Sequence, residues 1–127
     1  MVTTIPVELK QEYPFKQNYF SVNSENLHYV DEGQGEPILM LHGNPTWSFY
    51  YRNLAKNFSL TNRVIIPDHL GCGLSEKPQD YEYTLENHIE NLSQLVLKLN
   101  LKEITLIVHD WVLLVLRLHS VSFLSSH

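Results

Sequence analysis

Three short apolar runs, each closed by a polar or glycine-bearing segment, constrain this 127-residue chain more than any other feature. Pro37-Ile38-Leu39-Met40-Leu41 runs into His42-Gly43, Arg63-Val64-Ile65-Ile66 runs into Pro67-Asp68, and residues 103–108 run into His109-Asp110. Runs without polar alternation are what strands buried on both faces require. Between them, residues 48–58 read as a first helix. Thr84 can cap a second, whose Leu85, Ile89, Leu92, Val96 and Leu99 recur at helical spacing. Strand alternating with helix implies a parallel sheet with right-handed crossovers. Upstream the pattern differs: residues 18–22 and 26–30 alternate apolar and polar around Asn23-Ser24-Glu25, as a half-buried hairpin does. A second turn follows over residues 31–36, and residues 1–17, with Pro6 and Pro14, read as an extended leader. The expected class is therefore α/β, a mostly parallel sheet with an antiparallel N-terminal hairpin.

Charge and composition exclude several partners. Nine basic residues against fourteen acidic ones give a net charge of −5, with no basic block, which argues against nucleic acid or an anionic membrane surface. The longest apolar stretch, residues 112–124, is shorter than a bilayer span and contains Arg117 and His119. The first residues lack the charged and apolar regions of a signal peptide. The single Cys72 has no partner for an internal disulfide and reads as a small packed side chain, so a cytoplasmic location is the expectation. His28, His69 and His88 lack metal-ligand spacing, and no metal or cofactor is expected. Tyr50, Tyr51, Tyr81 and Tyr83 read as half-buried surface aromatics.

In such sheets ligands gather beyond the carboxyl ends of the strands. Three segments fall there: His42-Gly43-Asn44-Pro45, Asp68-His69-Leu70-Gly71-Cys72-Gly73 and His109-Asp110-Trp111. Taken singly, Asn44 would be a turn residue, Trp111 core packing, Asp110 a helix cap, Asp68 a structural carboxylate and His42 a residue that shapes its loop.

Taken together, His42-Gly43-Asn44-Pro45-Thr46-Trp47, the segment from Asp68 to Pro78 and Val108-His109-Asp110-Trp111 resemble the haloalkane-dehalogenase-like branch of the α/β-hydrolases, in order and spacing along residues 18–111. Gly71-Cys72-Gly73-Leu74-Ser75 most resembles the β-lactone decarboxylases of olefin biosynthesis, close relatives of the dehalogenases. The resemblance implies a hydrolase in which Asp110, in place of the usual Ser, attacks carbon to give an ester intermediate. It assigns the amide of Asn44 and the indole N–H of Trp111 to the departing halide, two donors without formal charge. The backbone N–H groups of the same two residues would form the oxyanion hole. The substrate would be a small molecule: a haloalkane first, a β-lactone second, and an epoxide third, because epoxide hydrolases also use Asp but usually lack the Asn. No cofactor or metal is implied, and the sequence leaves the oligomeric state open.

The pattern breaks after Trp111. The family continues with Gly-Gly and a small-residue helix, whereas Val112 brings a Cβ into a turn that wants glycine. Valine codons begin GT and leucine codons CT or TT, so Val112-Leu113-Leu114-Val115-Leu116-Arg117-Leu118 can be re-read one base earlier as Gly-Ala-Ile-Gly-Ile-Ala-Ala. That re-reading matches the helix the family places there, and points to a shifted frame near Trp111. Residues 112–127 are accordingly an aberrant tail, and residues 18–111 the N-terminal half of an α/β-hydrolase fold. The catalytic His, the supporting acid and the cap would come from later sequence, with His119 and His127 not promoted to replace them. The expectation is a fragment without turnover, and the non-enzymatic rival is a truncated product with no catalytic role.

Overall fold

The computed structural model describes residues 5, 7–43, 46–109 and, as backbone, 121–126, and these described residues form six strands and two α-helices. β1 (Asn18–Val22) and β2 (Glu25–Glu32) form the hairpin. Its turn is two residues, not three: Asn23 and Ser24 both take positive φ (48° and 70°), as a tight primed turn requires, and Glu25 already pairs with Val22. β2 also runs further than the alternation suggests. Asp31 and Glu32 pair with Ile65 and Val64, and Arg63 clamps the Asp31 carboxylate through two bonds of 2.9 and 2.7 Å.

β3 (Pro37–Leu41), β4 (Arg63–Pro67) and β5 (Ile104–His109) are adjacent and parallel, as expected. Glu103 sits at φ 53°, so β5 begins one residue later than the apolar run suggests. β6 (Val121–Ser126), within the stretch read as an aberrant tail, pairs parallel to β5 and completes the order β1-β2-β4-β3-β5-β6.

The period of two along the strands divides the core. Leu39, Leu41, Ile65, Ile104, Leu106 and Val108 face α2 (Leu85–Lys98) through Leu92 and Leu95. Ile38, Met40, Val64, Ile66 and Ile107 face the other way, toward Tyr51 and Ala55. Tyr51 ends a 3₁₀ turn (Ser48–Tyr51) that leads directly into α1 (Arg52–Phe58), which carries Ala55; the two together are the region read as one helix. The chain passes from β3 to neighbouring β4, then back across β3 to β5. Right-handed crossovers in opposite directions put α1 and α2 on opposite faces.

Of the expected series on α2, Leu92, Val96 and Leu99 pack on the core, joined by Leu95. Leu95 completes the helical period and Ile89 is only half-buried, while the Leu85 side chain lies outside the described residues. Thr84 Oγ1 accepts the Asn87 N–H, as the cap predicts. The helix ends with Asn100 at φ 53°, Leu101 N–H on Val96 O and Asn100 N–H on Leu97 O, a left-handed stop that turns Leu101 back onto the core.

The leader is not simply extended. It contains a 3₁₀ turn (Val7–Leu9) and buries Tyr13 and Phe15 in the core on the α1 face. No helix among the described residues is long and apolar enough to cross a membrane.

Candidate active site

The register fixes what meets at the carboxyl edge of the sheet. Leu41 pairs with Val108 and Leu39 with Ile65, so the chain leaves β3, β4 and β5 side by side at His42, Asp68 and His109. β3 leads to the helix on one face, and the chain reaching β5 has crossed the other. Their adjacent ends therefore form the reversal point at which open α/β sheets bind ligands.

The three candidates Asn44, Asp110 and Trp111 lie outside the described residues. Their described neighbours define the surroundings. His42 and His69 exchange hydrogen bonds: the His69 backbone N–H donates to His42 Nε2 at 3.0 Å, and His69 Nε2 lies 3.2 Å from the His42 carbonyl, to which it donates. His42 Nδ1–H in turn donates to the Gly43 carbonyl at 2.7 Å. Burial is the main reason both imidazoles sit below their ordinary pKa, His69 well below it; the neighbouring His42 and His88 add to the effect at His69. The His88 ring, on α2, stands 4.9 Å from that of His69. His109 stacks on Tyr50, ring centroids 4.6 Å apart.

Asp68 is a structural hub. Its fully buried carboxylate accepts the N–H of Ser48 at 2.6 Å, the N–H of Leu74 at 3.1 Å and the Nδ1–H of His28 at 2.9 Å. One side chain thereby ties the end of β4 to the turn before α1, to the glycine-bearing loop and to β2. Ser75 closes the loop, its Oγ donating to the Asp68 carbonyl at 2.6 Å while accepting the His28 N–H. Gly73 is required here: it has φ +53°, and a Cβ would lie 2.7 Å from the Asp68 carboxylate.

Sequence reasoning missed three partners. Tyr13 shares a hydrogen bond with the Ser48 hydroxyl and packs on Trp47, Phe49 and Phe15, which anchors the leader beneath the loop that follows β3. His28, whose only sequence signal was a polar residue in a strand, pairs with Asp68 across 40 positions. Tyr51 is buried rather than half-exposed, and its hydroxyl donates to the Leu41 carbonyl at 2.7 Å, at the end of β3.

Beside this edge, His69, Leu70, Gly71, Cys72, Lys77, Tyr83 and His88 line an open cavity of about 300 Å³. Burial, then the charge of Asp68, raises the Cys72 thiol pKa, which disfavours a reactive thiolate. Among the described residues no group of three or more His, Cys, Asp or Glu could hold a metal ion.

Residues 36–111, more than half the chain, match the family model described as alpha/beta hydrolase fold. The chain belongs to the α/β-hydrolase fold family. Among relatives of this α/β-hydrolase, the cis-3-alkyl-4-alkyloxetan-2-one decarboxylase of Shewanella oneidensis is 58% identical over 101 residues, covering 77% of this chain and 32% of the relative. Haloalkane dehalogenase 2 of Mycobacterium bovis is 42% identical over 101 residues, covering 80% and 35%. The tetrameric haloalkane dehalogenase DpaA of Paraglaciecola agarilytica superposes with a TM-score of 0.75 at 36% identity, covering 87% of this chain and 41% of that one. The chain thus spans about a third of the length of the curated relatives it matches.

Proposed function

We propose that this α/β-hydrolase chain supplies the nucleophile edge of an enzyme in which the Asp110 carboxylate attacks carbon, with Asn44 and Trp111 as donors to the departing group. The observation that carries the proposal is the pairing of Leu41 with Val108 at the reversal point of the sheet. Asn44 follows the first of these by three residues and Asp110 follows the second by two, so adjacent strands lead into both segments. Trp111 comes next in sequence. Uncharged N–H donors suit a leaving halide or the oxygen of an opening ring.

Between the substrates, identity favours the β-lactone over the haloalkane, 58% against 42%, which reverses the order read from the motifs. Turnover requires a base. The described histidines are poor candidates: His28 is bonded to Asp68, His42 and His69 are bonded to each other, His88 packs on His69, and His109 stacks on Tyr50. The chain alone is therefore expected to form a covalent adduct without releasing product repeatedly. Incubation with a cis-disubstituted β-lactone and, separately, a primary haloalkane should label the protein once, the lactone faster. Sustained release of alkene or halide that disappears in Asp110→Ala would refute the stalled-adduct reading while retaining the nucleophile. Absence of labelling by either compound would refute both.

A further inference from the structure

We infer that His42 is a positioning residue, held in a single tautomer by the backbone of His69, that locks the Gly43 carbonyl and so fixes the loop leaving β3 against the loop leaving β4. The buried Gly43 oxygen accepts three hydrogen bonds: His42 Nδ1–H at 2.7 Å, Thr46 Oγ–H at 2.9 Å and Thr46 N–H at 3.1 Å. A neutral imidazole has one donor and one acceptor nitrogen. The His69 N–H occupies Nε2, which leaves the proton on Nδ1 and aims it at Gly43. The neutral ring this needs is also the form that burial favours. The return bond from His69 Nε2–H to the His42 carbonyl closes the exchange, so the loops leaving β3 and β4 are stitched to each other rather than each to itself.

The tautomer lock does not depend on the function proposed above. A histidine serves here because its neutral ring carries a donor and an acceptor on different sides, so it takes a bond from one loop and gives one to the other.

The test is long-range nitrogen–proton NMR of the histidine rings in the full chain, with amide exchange in two variants. The wild-type His42 should show the Nδ1–H tautomer. His42→Asn retains a donor near the Nδ1 position and His42→Phe has none. Thr46 N–H protection should therefore persist in the first and fall about fivefold in the second, while the His69 amide loses protection in both. Should either variant fail to fold, His69→Phe keeps its backbone N–H and must leave the His42 tautomer unchanged. An Nε2–H tautomer in the wild type, equal Thr46 protection in the two His42 variants, or a changed tautomer in His69→Phe overturns the lock. Labelling of Asp110, measured separately, distinguishes failure of the lock from failure of the proposed reaction.

Discussion

Asp68→Ala tests how this edge of the sheet is held. The carboxylate is fully buried and receives three donors, at 2.6, 2.9 and 3.1 Å, two of them backbone amides from different loops. Removing one member of a buried polar set leaves its partners desolvated and unpaired, at about 1–3 kcal/mol for each donor. Some relaxation and hydration of the loops offsets this, and a net loss of about 4 kcal/mol is expected. For a domain whose total stability is on the order of 5–15 kcal/mol, that is a large fraction. Asp68→Asn keeps one acceptor oxygen, which can serve the Leu74 and His28 donors, but turns its amide N–H₂ toward the Ser48 N–H. Its expected cost is about 2 kcal/mol. Urea unfolding followed by tryptophan fluorescence reads both. With a slope of about 1.5 kcal/mol per molar, the alanine variant should lower the midpoint by about 2.5 M and the asparagine variant by about half as much. A shift below about 0.5 M for alanine, or equal shifts for the two variants, would refute the hub.

Three further outcomes follow from the same contacts. Gly73→Ala should cost at least about 2 kcal/mol, because it combines a left-handed φ with a Cβ 2.7 Å from the Asp68 carboxylate; thermal denaturation would show this. Folded His42 and His69 bind protons less readily than the unfolded chain, whose imidazoles titrate near 6.5, so their contribution is complete above that pH and is lost as pH falls below it toward the folded values. The unfolding free energy from urea titrations in that window should drop with a slope approaching about 2.7 kcal/mol per pH unit, and a value independent of pH there would count against two buried neutral rings. Arg63→Met, at a half-exposed ion pair with Asp31, should cost no more than about 1 kcal/mol, and that loss should shrink in high salt.

Much of the sheet was legible because its physical requirements are local. A strand covered on both faces must be apolar throughout, so residues 37–41 and 63–66 announced themselves as adjacent parallel strands, while their order in the sheet emerges only from the pairing. The boundaries that slipped depend on single backbone angles: Asn23, Ser24 and Glu103 adopt positive φ without being glycine. On α2 the expected Leu92, Val96 and Leu99 pack on the core, whereas Ile89 is only half-buried, in the turn where His88 meets His69 and Asn91 Nδ2–H donates to the Tyr81 hydroxyl. Tyr13 carried no periodic signal, because its partner Ser48 lies 35 positions away. The same holds for the exchange between His42 and His69, 27 positions apart, which neither loop reveals alone. Of the candidate site, the sequence showed which segments share the strand ends; the hydrogen bonds behind them are long-range and emerge only from the fold.

The central claim, that Asp110 is a nucleophile served by Asn44 and Trp111, is tested most directly by locating the covalent bond it would form. The full chain is incubated with a primary bromoalkane, digested and mapped by tandem mass spectrometry, beside Asp110→Asn and Asn44→Ala. Attack forms a carbon–oxygen bond to the carboxylate and releases bromide, so the peptide carrying Asp110 should gain one alkyl group. The gain should be abolished in Asp110→Asn and slowed about tenfold or more in Asn44→Ala, the size of effect expected from losing one leaving-group donor. An alkyl group on Cys72 alone, or the same labelling in wild type and Asp110→Asn, would contradict the account.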